Sequence, residues 1–273
     1  MNAFTFIDGE PTTSEFYLDR GFCYGDGVFE TMRCRDGNIA LVDLHLRRLQ
    51  TSCERLRMPL NRKIFDLSLA RCLEKAGPDN SVKLIACRSL FPRGSYPLQD
   101  VDARLIAHVQ SYAPRAVPNE GIRLRMAPGR LAMNPSLAGL KHMSRLAYIE
   151  ASLGVEPAAD EEVLFQDFSG KVVECMHHNI FILKEGELIT PPLASAGVEG
   201  VCRRWLLDTV APSLNIRTKV EKIALKELFD CEGAFVCNAL EGLVPVDSVD
   251  ERKLPNSVVL ASVIEKTREI FTR

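Results

Sequence analysis

EEVLFQDFSGKVVECMHHNIFILKEGELIT, Glu161–Thr190, is the stretch on which the fold turns. Four β-rich runs, EEVLFQDF, KVVECMH, NIFILKEG and ELITPP, follow one another with Ser169-Gly170 and Glu185-Gly186 as turns, which predicts a β meander. Upstream lie a strand, IRLRMAP, a loop, GRLAMNPSLAG, and a helix from about Lys141 to Leu153 ended by Gly154, with Leu146, Ile149 and Leu153 expected on its core face. Downstream, SAGVEG leads into a helix, VCRRWLLDTV. The chain then closes with the strands GAFVCNAL and GLVPVDSV and a helix from about Ser257 to Phe271.

The first part of the chain repeats the β character in FTFIDGE and VFETMRCRDGNIALV, where Asp36-Gly37-Asn38 is a hairpin signal. Asp43 is placed to cap a helix carrying Leu46, Leu49, Cys53 and Leu56, and a second helix runs from about Ile64 to Lys75 before Gly77 and Pro78. VKLIACRS and ARLIAHVQ return to the sheet. YAPRAVPNEG, with two prolines and a glycine, reads as a linker, so an α+β chain of two domains is expected, residues 1–115 and 116–273.

With 273 residues, 46% hydrophobic and 26% charged, the chain can bury a substantial core. A net charge of -2 with scattered Lys and Arg gives no electrostatic case for nucleic acid or a membrane surface, and a small polar ligand is the better expectation. MNAFTFIDGE lacks a secretory pattern and no apolar run reaches membrane length, which points to a cytoplasmic protein. Nine dispersed cysteines without a CxxC pair fit neither a disulfide framework nor a zinc site.

Several residues could carry chemistry, each with a plainer reading beside it. Lys141, between a small-residue loop and an amphipathic helix, is either a nucleophilic amine with a lowered pKa or a solvated lysine. Alternation puts Glu174 on one strand face with Val172 and Met176, either as a buried carboxylate needing a cation or as an exposed edge residue. His177 and His178 point to opposite faces and lack further ligands, so no metal is expected. Arg48 could grip a phosphate in a bidentate contact, while Arg47, Arg55 and Arg57 read as a solvated face. Ser195–Gly200 before a helix offers amides to an anion, or is an ordinary turn.

Taken in order, YGDGVFETMR, HLRRL, AGLKHMSRL, VVECMHHNIF, TPPLASAGVEGVCR and VCNALEGLVPV resemble the fold-type-IV pyridoxal-phosphate enzymes over nearly the whole chain. The resemblance implies a smaller N-terminal α/β sandwich and a larger β-barrel-like C-terminal domain with helices. It makes Lys141 the lysine that carries pyridoxal 5'-phosphate, Glu174 the carboxylate facing the pyridine nitrogen and Arg48 the phosphate arginine. The amides of Val198, Glu199 and Gly200, with Asn238, would surround the phosphate. Thr31 matches a threonine near the reacting carbon, and Arg145 falls close to where the family's aminotransferases place a tyrosine beside the ring hydroxyl. AGLKHMSRL and VCNALEGLVPV look most like the aminodeoxychorismate-lyase branch, whose Asn238 position is a threonine or serine in the aminotransferases. The resemblance further implies a homodimer with aminodeoxychorismate as its small-molecule substrate. A D-amino-acid or branched-chain aminotransferase, and a non-catalytic cofactor-binding module, are the competing readings.

Overall fold

The computed structural model describes residues 5–7, 10–12, 19–88, 96 and 101–272. Two short strands, β1 (Thr5–Ile7) and β2 (Glu10–Thr12), pair with each other, and the helix α1 (Arg20–Tyr24) follows. Next come β3 (Gly27–Arg35), β4 (Asn38–Ile39), α2 (Val42–Arg55), α3 (Arg62–Leu73), β5 (Asp79–Cys87) and β6 (Arg104–Ser111). These strands form an antiparallel sheet in the order β4-β3-β5-β6, with the expected turn after Arg35. Alternation sorts their residues: Val28, Met32 and Cys34 of β3 and Val82, Leu84 and Ala86 of β5 pack with Leu46, Leu49, Cys53 and Phe65 of the two helices. Phe29, Thr31 and Lys83 lie on the opposite face.

Two helix starts differ in detail from expectation. Leu41, in the left-handed conformation, occupies the N-cap of α2, and Asp43 sits inside the first turn, where its charge still favours the positive end of the helix. Asn61 caps α3 by accepting from the Lys63 and Ile64 amides, so that helix starts earlier than its apolar pattern suggests.

After the extended stretch 112–121 the chain enters a ten-stranded sheet. Its elements are β7 (Ile122–Met126), α4 (Leu146–Ala151), β8 (Glu161–Gln166), β9 (Lys171–Cys175), β10 (Asn179–Lys184), β11 (Glu187–Thr190), α5 (Val201–Trp205), α6 (Ala211–Ser213), β12 (Thr218–Val220), β13 (Ile223–Ala224), α7 (Leu225–Phe229), β14 (Gly233–Asn238), β15 (Gly242–Val249), β16 (Arg252–Lys253) and α8 (Val258–Thr272). A π-helical turn, Leu206–Val210, joins α5 to α6. The strand order is β12-β11-β10-β14-β15-β7-β8-β9-β13, with β16 on β15, and the sheet curls strongly into a half-barrel, the fold-type-IV architecture.

Strand β10 shows why this sheet reads as nearly continuous apolar sequence. Ile180 and Ile182 enter the inner core with Leu124, Leu164, Val236 and Val246, whereas Phe181 and Leu183 pack outward against Trp205, Leu206 and Leu260. Phe181 stacks on Phe235 at 5.1 Å. Both faces are covered, so both registers are apolar. Cys23 is exposed and the other eight cysteines are buried. Among the described residues, no helix is long and apolar enough to cross a membrane.

Alternation fails in β9. Phe165 pairs with Glu174 but Gln166 pairs with Val172, so Val173 is an extra residue, a β-bulge. Val172 therefore shares the inner core with Cys175, while Val173 packs with Tyr148 and Phe165, and Met176 lies against the same group. Glu174 thus leaves the company of Val172, the face on which a strict period of two would keep it. The helix expected from Lys141 to Leu153 is also shorter. Only Leu146–Ala151 is helical, Tyr148 and Ala151 face inward, and Leu146, Ile149 and Leu153 are exposed.

Candidate active site

Lys141 precedes α4 in an extended segment. Because β4 covers only Cys34 and Arg35, the first residues of β3 keep an open edge, and residues 141–143 occupy it. Phe29 N donates to Lys141 O and Met143 N donates to Gly27 O, each at 2.9 Å. The Lys141 ammonium lies 4.6 Å from the centre of the Phe29 ring. One residue pair away, Gly139 N donates to Gly197 O and Glu199 N donates to Gly139 O, stitching this segment to the loop before α5. Gly197 has φ +89°, a conformation that strains any other residue, and a Cβ there would also crowd Leu193 Cδ2 at 2.6 Å and Val173 and Glu174 at 3.1 and 3.2 Å.

These elements enclose a cavity of about 420 Å³ lined by, among others, Phe29, Thr31, Arg48, Lys83, Lys141, Arg145, Glu174, Val198, Gly200 and Asn238. Residues far apart in the chain, Thr31, Arg48, Lys141, Arg145, Glu174 and Asn238, are thus brought to one wall system. Burial is the main force on Lys141, and repulsion from Arg48 and Arg145 adds to it. Against the pull of Glu30 and Glu174, they bring its pKa down to about 8. An appreciable fraction of neutral amine then exists near neutrality.

Glu174 is almost fully buried and accepts three hydrogen bonds, from Tyr148 Oη at 2.5 Å, Val198 N at 2.8 Å and Asn179 Nδ2 at 3.0 Å. Burial still raises its pKa, outweighing the Tyr148 hydroxyl, the Val198 amide and the charges of Arg145 and Lys141. A cation placed against it would restore the carboxylate. The Arg145 guanidinium lies 3.4 Å from the centre of the Tyr148 ring, and its Nη1 is buried without a partner among the described residues.

Arg48 donates to Glu30 through Nε at 2.8 Å and Nη2 at 2.5 Å, and to Glu199 O through Nη1 at 2.9 Å. Glu30 and His45 were not evident as site residues from sequence, although alternation offered a signal. Glu30 sits between Val28 and Met32 on the helix-facing side of β3, where a carboxylate needs partners.

Of the three amides expected around an anion, two are engaged within the protein: Val198 N on Glu174 and Glu199 N on Gly139 O. Only Gly200 keeps a free amide, joined by Val201 and Cys202 at the start of α5, whose amides have no protein acceptor among the described residues. Among the described residues the run of free amides therefore begins at Gly200, two residues further on than the sequence pattern suggested. Asn238 lines the cavity, but its Oδ1 accepts from the Leu240 and Glu241 amides and its Nδ2 lies 2.8 Å from His178 Nε2, which ties it to the turn after β14.

His177 and His178 both approach Glu162, at 3.3 and 2.8 Å, despite being sequence neighbours, because the chain turns between β9 and β10. His178 is buried and reaches Glu241 on its other side at 2.8 Å. Burial alone would depress its pKa, yet the two carboxylates raise it to about 9. A protonated ring donates to both carboxylates, so the Nε2 proton belongs to Glu241 rather than leaving an acceptor for Asn238.

The description "Amino-transferase class IV" matches residues 27–249. The chain is similar to an aminodeoxychorismate lyase of Vibrio harveyi, 28% identical over 89% of this chain and 90% of that one. It is also similar to a putative branched-chain-amino-acid aminotransferase of Methanocaldococcus jannaschii, 29% identical over 97% of this chain and 92% of the relative. Among solved structures, 4-amino-4-deoxychorismate lyase from Pseudomonas aeruginosa matches with a TM-score of 0.83 and 33% identity, covering 97% of this chain and 98% of that one.

Proposed function

The chain belongs to the class IV aminotransferase family of enzymes, and from that premise we propose that it is a pyridoxal-phosphate-dependent lyase converting 4-amino-4-deoxychorismate to 4-aminobenzoate and pyruvate, a step toward folate. The observation that carries the reading is the cavity itself. An amine of lowered pKa, a buried carboxylate with three donors, and a set of free amides beside an arginine converge in it. This donor set fits pyridoxal phosphate. The Gly200, Val201 and Cys202 amides and Arg48 suit its phosphate, Glu174 its pyridine nitrogen and Lys141 its aldehyde carbon. Arg145 offers a further donor through Nη1, which has no partner among the described residues.

When bound, the cofactor supplies an electron-accepting ring for charge from the carbon bearing the substrate nitrogen. Lys141 then serves as the base that takes the proton from that carbon, which its lowered pKa suits. Tyr148, Asn179 and the Val198 amide hold Glu174 in place so that it keeps a cation opposite it. Thr31, on the cavity wall, is assigned to substrate positioning or proton delivery as the ether C–O bond breaks and pyruvate leaves. The six-membered ring becomes aromatic in that step, which drives it forward.

The substrate's two carboxylates agree with the charge of the site. Among the described residues, Lys83 and Arg145 pair with no carboxylate and Glu174 is the one acid lining the cavity. This reading treats residues 1–115 as the smaller unit and 116–273 as the cofactor-binding one, in a cytoplasmic homodimer. Incubation of cofactor-loaded protein with aminodeoxychorismate and no keto acid tests it, with 4-aminobenzoate and pyruvate followed together. Equal release of both is expected. Silence there, with turnover on an amino-donor and keto-acid panel, would instead favour a transaminase, the activity named for the Methanocaldococcus relative.

A further inference from the structure

Glu30 and His45 form a buried support behind Arg48, on the side away from the cavity. Glu30 is 1% exposed and His45 0%, and neither lines the cavity, whereas Arg48 does. Three donors meet the Glu30 carboxylate: Arg48 Nε and Nη2, and His45 Nδ1 at 2.6 Å. Among the described residues His45 Nε2 is buried without a partner, which fits a neutral ring with its proton on Nδ1 and the downward shift that burial imposes. Burial works against ionising Glu30, but Arg48 and His45 prevail and its pKa falls to about 2.

We propose that Glu30 and His45 are positioning residues that lock the Arg48 guanidinium in the orientation needed to bind a phosphate-bearing cofactor. Glu30 and the Glu199 carbonyl engage three of the five guanidinium N–H groups and leave two for an anion next to Gly200 and Val201. An unpinned arginine would have to be ordered when the anion binds, at the expense of affinity. Two effects oppose each other when the Glu30 charge is removed. Arg48 gains uncompensated positive charge, which favours an anion, but it loses its fixed direction. Glu30 lies behind the guanidinium rather than in the cavity wall, so loss of direction is the larger effect.

This inference rests on the proposed role of Arg48, and the test separates the two. Dissociation constants for pyridoxal 5'-phosphate and for pyridoxal, which lacks the phosphate, are measured on apo-protein of the parent and of Glu30→Gln, His45→Leu, His45→Asn and Arg48→Ala. Thermal unfolding of each apo-protein is recorded in parallel. Glu30→Gln is expected to weaken pyridoxal phosphate by about ten- to a hundredfold, the range for a charge-assisted contact, and to leave pyridoxal unchanged. His45→Leu is expected to shift the same ratio less, and His45→Asn, which returns a donor near Nδ1, to restore it in part. An unchanged or increased phosphate preference in Glu30→Gln, with Arg48→Ala showing a collapsed one, overturns the positioning role alone. An unchanged preference in Arg48→Ala overturns the phosphate role of Arg48. Should Glu30→Gln fail to fold, the His45 pair decides: equal ratios in His45→Leu and the parent refute the proposal.

Discussion

Gly200→Ala reports on how the floor of the cavity is braced. Gly200 has an ordinary φ of -63°, so alanine meets no backbone strain there. Its Cβ would instead stand 1.9 Å from Asn179 Oδ1 and 3.1 Å from Asn179 Cγ, and the asparagine must move. Asn179 Nδ2 donates to Glu174 Oε2 at 3.0 Å and to Val198 O at 2.9 Å, so moving it breaks both bonds. Loss of one hydrogen bond to a buried charged acceptor and one to a carbonyl costs about 2 to 4 kcal/mol. For a chain of this size that corresponds to a fall in Tm of roughly 5–15 °C. The assay is thermal unfolding of apo-protein for Gly200→Ala, Asn179→Ala and the double variant. If the clash with Asn179 is the cause, the double variant loses no more than Asn179→Ala does alone. The reasoning is refuted if Gly200→Ala melts with the parent, or if the two losses simply add.

Three further outcomes follow from the same geometry. His178 has a folded pKa of about 9, above its unfolded value of about 6.5. Its contribution is therefore complete below the unfolded value and is lost as pH rises through about 9, so Tm should fall across that interval, and His178→Gln should flatten the fall. An alkaline limb of the same slope in the variant would remove His178 as its source. Tyr148→Phe deletes the shortest donor to Glu174 while keeping the ring contact with Phe165, and should lower kcat about tenfold with cofactor retained, as read by steady-state rates and bound-cofactor absorbance. A parent-like kcat would count against Glu174 as the partner of the ring nitrogen. Lys83→Ala should raise KM for the dicarboxylate substrate and leave cofactor affinity unchanged, and an unaltered KM would take Lys83 out of substrate recognition.

What could be read from the sequence and what could not separate along physical lines. The meander from Glu161 to Thr190 and the hairpin at Asp36–Asn38 were legible because turn chemistry and apolar patterning are local properties. The face on which Glu174 sits was not, because the bulge at Val173 shifts the register and a bulge leaves little trace in composition. The helix after Lys141 was overextended because Leu146, Ile149 and Leu153 share a helical stripe, which periodicity assigns to the core although all three face outward. Which amides of the 195–202 turn remain free depends on Gly139 and Glu174, both distant in the chain. Glu30 is the instructive omission, since an acid placed among Val28, Met32 and Cys34 already requires buried partners, and Arg48 and His45 stand three residues apart on the next helix.

The most direct measurement is borohydride reduction of the protein loaded with pyridoxal phosphate, followed by peptide mass spectrometry. The account predicts one phosphopyridoxyl group per chain, on Lys141, the buried amine of the cavity. A label on another lysine, or none on a protein shown to hold the cofactor, would contradict it.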